Sequence, residues 1–128
     1  MAVVKGLEAE IKRGVRAPMS AEAYGNAGFP VPGTPALIGL LEDAGVKAVA
    51  PGLGPNEGTV GTRINIAHLA ATPLGEEVRV RARLFEIDGR RLVFELNASD
   101  AVRPIATGEM ERFLVDIPRF LAKTVRSG

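Results

Sequence analysis

Polar and apolar residues alternate from residue 3 to 15, with Val3, Leu7, Ala9, Ile11 and Val15 on one parity, which predicts a strand. Residues 16–33 lose that period and are rich in Gly, Pro and Ala, with Met19, Tyr24 and Phe29 scattered through them; this predicts a long loop, either a lid or a plain connector. At Thr34 the period lengthens. Thr34-Pro35 is a helix start, threonine suiting the N-cap and proline the first turn. The helix is expected to run to about Val49, closed by Pro51-Gly52. Its apolar residues fall in two stripes, Ala36, Leu37, Leu40, Leu41, Ala44 and Ala48, then Ile38, Gly45, Val46 and Val49, so it is expected to be buried on most sides. Period two then returns. Residues 58–69 place Val60, Thr62, Ile64, Ile66 and His68 on one face, and 77–87 place Val78, Val80, Ala82 and Leu84 inward with Arg79, Arg81 and Arg83 outward. Asp88-Gly89 predicts a two-residue hairpin turn into 91–99, with Leu92, Phe94, Leu96 and Ala98 inward. A last strand is expected over about 105–115, then a short amphipathic helix using Ile117, Phe120, Leu121 and Val125.

The order is β-α-β-β-β-β, an α+β pattern over a single domain, residues 1–128. A mostly antiparallel sheet wrapped around one long buried helix satisfies it, the hot-dog arrangement, and the apolar helix predicts a homodimer, with a tetramer as the further option.

Composition narrows the chemistry. With 46% apolar and 24% charged residues, the 128-residue chain can bury a core of its own. A formal charge of +1 gives no sign of a nucleic-acid or membrane partner. The absence of cysteine excludes disulfides, a cysteine nucleophile and cysteine-ligated metal. One histidine makes a zinc site improbable, and no cofactor is expected. No signal-peptide core and no apolar run of about 18 residues appears, so a cytoplasmic protein is expected.

Glu42 is the most informative polar residue. It falls within the second stripe, and its neighbours at three and four residues, Ile38, Gly39, Gly45 and Val46, offer no cation. A carboxylate there either has a raised pKa or finds a partner elsewhere; it is a general base or nucleophile, or it reaches solvent or a structural arginine. His68 shares parity with Ile64 and Ile66 and points to the helix side, as a catalyst or a satisfied core residue. Thr34 has capping as its plain explanation, although a hydroxyl at a helix N-terminus lies in positive potential. Arg112 shares a face with Ala106, Met110 and Leu114 and needs an acceptor there. Arg79, Arg81, Arg83, Arg90 and Arg91 read as solvated charge, some of it available to phosphates. Thr34 and Glu42 are eight residues apart, about 12 Å along a helix and roughly 80° around it, so they are not direct partners.

Three segments, Thr34-Pro-Ala-Leu-Ile-Gly-Leu-Leu-Glu42, Gly58-Thr-Val-Gly-Thr62 and His68-Leu-Ala-Ala-Thr-Pro-Leu-Gly75, resemble the fluoroacetyl-CoA thioesterase family of hot-dog enzymes. Asp88-Gly-Arg-Arg91 and Gly108-Glu-Met-Glu-Arg112 resemble its later strands. The resemblance implies that Thr34, Glu42 and His68 are catalytic and that Gly61 and Arg112 shape the acyl pocket. Phe29, in the loop before the helix, is a further candidate for substrate contact. The departure from the family lies in that loop, where neither Tyr24 nor Phe29 aligns clearly with the family's bulky aromatics, so the implied activity is the general one, hydrolysis of a short- or medium-chain acyl-CoA to free acid and CoA. A non-catalytic acyl-CoA-binding protein and an enoyl-CoA hydratase are the alternatives on the same fold.

Overall fold

The structure is a computed structural model and describes residues 2–125. Its elements follow the expected order: β1 (Glu8–Gly14), α1 (Thr34–Val49), β2 (Glu57–His68), β3 (Glu77–Asp88), β4 (Arg91–Ser99), β5 (Pro104–Asp116) and α2 (Ile117–Ala122). The strands form one antiparallel sheet in the order β1-β3-β4-β5-β2. α1 lies against its inner face, mainly over β3 and β1. The first strand starts later than the alternation suggests, because Lys5 and Gly6 make a turn and Gly6 has φ 95°.

The alternating residues of β3 and β4 meet the helix stripe. Val78, Val80, Ala82, Leu84, Leu92, Phe94, Leu96 and Ala98 are buried against Leu37, Leu40, Leu41, Ala44 and Ala48. Removing such side chains from water is the main favourable contribution to folding. The second helix stripe is more open than expected: Val46 is 45% exposed and Ile38 only partly buried. On the outer face, Arg79, Arg81 and Arg83 pair with Glu10, Glu8 and Glu95 across the strands. The hairpin turn is Gly89-Arg90, since Asp88 still pairs with Arg91. Glycine is needed at its first position, where φ is 61°.

Two local features differ from a regular alternation and matter for the site. β2 pairs Gly61 with Arg112 and then Arg63 with Glu111, leaving Thr62 as a bulge. Parity therefore switches: Gly61, Ile64, Ile66 and His68 face the helix side, whereas the expectation that Val60 and Thr62 share that face is wrong. The bulge is fixed by Thr62 Oγ1, which donates to Glu111 Oε2 at 2.7 Å. That bond, and then Arg91, hold the Glu111 carboxyl below the usual carboxylate range. The segment 16–33 is folded as well. It contains 3-10 turns at Ala17–Met19 and Glu22–Tyr24, and is closed by Ala21 N–H to Val31 O (2.7 Å) and Gly33 N–H to Met19 O (2.8 Å).

The β4–β5 connection carries a polar lock. Thr72 is fully buried and its Oγ1 donates to Asp100 Oδ2 at 2.8 Å, while Oδ1 accepts the backbone N–H groups of Val102 and Arg103. These bonds, that of Thr72 first, hold the Asp100 carboxyl below its usual range. A lowered folded-state pKa stabilises the fold above the unfolded-state value and loses that contribution as pH falls through the folded-state value. Thr72→Val should therefore lower the urea midpoint at neutral pH, with the gap to the parent narrowing as pH drops through the carboxylate range. Urea titrations at several pH values check this; a gap independent of pH would show that Asp100 is not the partner that matters.

Candidate active site

Thr34 does not cap its helix. Gly33 occupies the N-cap with extended φ/ψ, Thr34 is the first helical residue, and no side-chain cap bond is made. Gly33 is itself confined, since a Cβ there would lie 3.1 Å from Ala21 Cα. The freed hydroxyl of Thr34 instead shares a 2.9 Å hydrogen bond with His68 Nδ1. His68 is held for that contact by the last rung of β2, opposite Ala106 of β5. Either Thr34 donates to an unprotonated Nδ1 or accepts from Nδ1–H; in the first case Nε2 carries the proton. The capping explanation for Thr34 is thus replaced by a helix-to-strand contact.

Glu42, two helical turns on, meets a different set of residues. Its Oε1 lies 3.8 Å from Nη1 of Arg112, which is buried to 6% exposure on β5. Arg112 is anchored by Thr59, donating from Nε to its Oγ1 at 2.9 Å and from Nη2 to its carbonyl at 3.0 Å. Burial pulls the Arg112 pKa down, and Glu42 and Asp43 oppose that; a guanidinium remains charged regardless. Of the outcomes open to Glu42, the structure gives the partner from elsewhere: its side chain is 44% exposed, and its cation comes from β5. Gly61 makes the approach possible. A Cβ there would fall 2.6 Å from Glu42 Oε1 and 3.2 Å from Arg112 Nη1.

The inner face therefore carries two polar groups along one helix, Thr34–His68 at its N-terminus and Glu42–Arg112 over Gly61. Phe29 and Tyr24, both about half exposed, line a 320 Å³ cavity that ends on Thr34 and Pro35. Thr59 is the residue that sequence reasoning missed. Its only signal was a parity shared with Gly61, an easy one to overlook beside the bulge. Among the described residues no group of three or more His, Cys, Asp or Glu could hold a metal ion. No described helix is long and apolar enough to cross a membrane.

A five-stranded antiparallel sheet around one long helix, with these polar residues between them, defines the hot-dog class. Residues 15–117 match the model of the fluoroacetyl-CoA-specific thioesterase family, and the chain belongs to that family. It is 45% identical over 87 residues to the fluoroacetyl-CoA thioesterase of Streptantibioticus cattleyicolor, a match covering 68% of this chain and 63% of that relative's length. A solved fluoroacetyl-CoA thioesterase structure superposes with a TM-score of 0.87 at 35% identity, covering 97% of this chain and 96% of the other. A threonine-to-serine variant in complex with acetyl-CoA gives 0.88 at 33%, covering 94% and 96%.

Proposed function

We propose that this protein hydrolyses short- or medium-chain acyl-CoA thioesters to free acid and CoA. The observation that carries the reading is the 2.9 Å Thr34–His68 bond, which commits a helix-start hydroxyl to the only histidine in the chain. Glu42 acts as general base, taking a proton from the water that adds to the thioester carbonyl, or attacks that carbonyl itself to form an anhydride that water then opens. The C–S bond breaks and the thiolate leaves with a proton from His68 Nε2. Thr34 sets the histidine tautomer and orients water or substrate. Unpaired N–H groups of the first helical turn stabilise the oxyanion, although Pro35 offers none. Arg112 keeps Glu42 over Gly61, and Phe29 borders the acyl group. The family's fluoroacetyl-CoA thioesterases and the acetyl-CoA complex of a close structural neighbour support a small acyl group.

The working unit in this reading is a homodimer acting in the cytoplasm, with pairing of dimers into a tetramer as the alternative assembly. β2 is a 12-residue strand at the sheet edge, a template for a second chain, and it carries both Gly61 and His68. A partner on that edge would bring the two polar groups of neighbouring protomers towards one substrate. Sedimentation of the purified protein checks this, and a monomer at full activity would exclude it.

The purified protein should release free CoA thiol from acetyl-, fluoroacetyl- and phenylacetyl-CoA and from longer acyl-CoAs at differing rates. Binding without thiol release would instead make it a carrier module. Hydration of an enoyl-CoA with no thiol release would make it a hydratase.

A further inference from the structure

β2 and β3 each carry a bulge at the same level of the sheet. Glu86, Val93, Glu111 and Arg63 form one cross-strand row through β3, β4, β5 and β2. Phe85 is the extra residue just before that row in β3, and Thr62 is the extra residue just before it in β2. A chain of polar side chains crosses the outer face between the two bulges. Thr62 Oγ1 donates to Glu111 Oε2 at 2.7 Å, Arg91 Nε donates to Glu111 Oε1, and Arg91 Nη1 donates to Glu86 Oε2 at 2.9 Å. The Arg81–Glu8 pair on the same face is as short, at 2.7 Å, but reaches neither bulge.

Directly behind this chain lies the active site. Glu111 is flanked in β5 by Met110 and Arg112, both buried on the helix side. A Cβ on Gly45 of α1 would run into Met110 Cε and lie 3.4 Å from Arg112 Cδ, so the helix has no slack toward β5 at this point. Gly61, next to Thr62, is held as tightly, since a Cβ there would fall 2.6 Å from Glu42 Oε1. β2 is an edge strand of the protomer, so β5 alone fixes its register. Regular alternation back from His68 would put Thr62 and Val60 on the helix side, with a side chain where Gly61 now stands. Bulges re-aim residues beside active sites in this way.

We propose that Thr62, Glu111, Arg91 and Glu86 form a clamp on the outer face that positions the active site, holding the β2 bulge so that Gly61 stays under Glu42. They are positioning residues, which act through Gly61 and touch no substrate. This rests on the thioesterase reading for the reaction served, whereas the clamp itself stands on the geometry. A misplacement of about 1 Å in a catalytic constellation costs on the order of 10²-fold in rate. Half-exposed ion pairs contribute little to stability, so the clamp should show in rate more than in melting.

The test uses the full-length protein with Thr62→Val, Thr62→Ser, Glu111→Ala and, as a control away from both bulges, Arg81→Gln. Glu111→Ala opens the clamp from β5 and leaves the β2 edge unaltered. Thr62→Val and Glu111→Ala should each lower kcat about tenfold or more with KM within twofold, Thr62→Ser should recover most of the rate, and Arg81→Gln should stay within twofold of the parent. Both clamp-opening variants should also displace the Arg112 Nε–H resonance, which reports the bond to Thr59 and involves no mutated residue. A merely structural role would lower the thermal midpoints and leave kcat and that resonance in place. Rates within twofold of the parent in both clamp-opening variants, an equal loss in Arg81→Gln, or no recovery with serine would each overturn the clamp. A failed thioesterase reading appears differently, as no thiol release by the parent; the Arg112 resonance then decides the clamp by itself, displaced if it exists and unmoved if it does not.

Discussion

Glu42→Gln should lower kcat about 10²–10⁴-fold, the contribution typical of a general acid–base group, with little change in thermal midpoint. Glutamine keeps the shape of the side chain and an oxygen for Arg112, and removes the base. Because Glu42 is 44% exposed, its ion pair with Arg112 is screened on one side and its loss costs far less than an enclosed pair would. Glu42→Ala is the poorer test, since it also leaves the buried Arg112 without any oxygen facing it from that position. Gly61→Ala probes the same point without touching an ionisable group. Its Cβ, 2.6 Å from Oε1, must push the carboxylate aside, while alanine suits a strand better than glycine by roughly 0.5–1 kcal/mol. The expected signature is reduced kcat in a protein no less stable than the parent. Steady-state kinetics beside thermal melts decide it; a Glu42→Gln enzyme within twofold of the parent would remove Glu42 from the mechanism.

Period-two and helical patterns located every strand and both helices, because each element has one face on the core and the alternation records that. Arg112 was legible for the same reason: β5 runs without a bulge from Ala106 to Leu114, so parity carried the inward face through to it. β2 was not, because Thr62 bulges out, and nothing in Gly-Thr-Val-Gly-Thr announces a bond to Glu111 on another strand. Parity counted back from His68 then assigned Val60 inward in place of Gly61. Glu42 appeared isolated because helix spacing reveals neighbours on the same helix only, and its cation comes from the sheet. The capping explanation for Thr34 failed by one residue, since Gly33 can itself occupy an N-cap. The hot-dog sheet, its helix and the identities of the polar residues were therefore readable, but the contacts that make those residues a site were not.

His68 and Thr34 should behave as one unit. His68→Ala is expected to lower kcat about 10²–10⁴-fold by removing the acid for the leaving thiolate. Thr34→Val keeps the helix start, because Gly33 supplies the N-cap and no cap bond is lost, but takes away the 2.9 Å partner of Nδ1. Its cost should be about tenfold or more, and Thr34→Ser should recover most of the rate by restoring a hydroxyl. In the double variant the lost hydroxyl no longer disturbs a histidine, so the combined loss should fall short of the product of the two single effects. The remainder beyond His68→Ala is the hydroxyl's own hold on water or substrate. Groups acting together show this non-additivity, and independent groups multiply their effects. If the double variant instead loses the product of the two single effects, Thr34 contacts water or substrate on its own account, and its bond to His68 reports only how the helix is docked on β2.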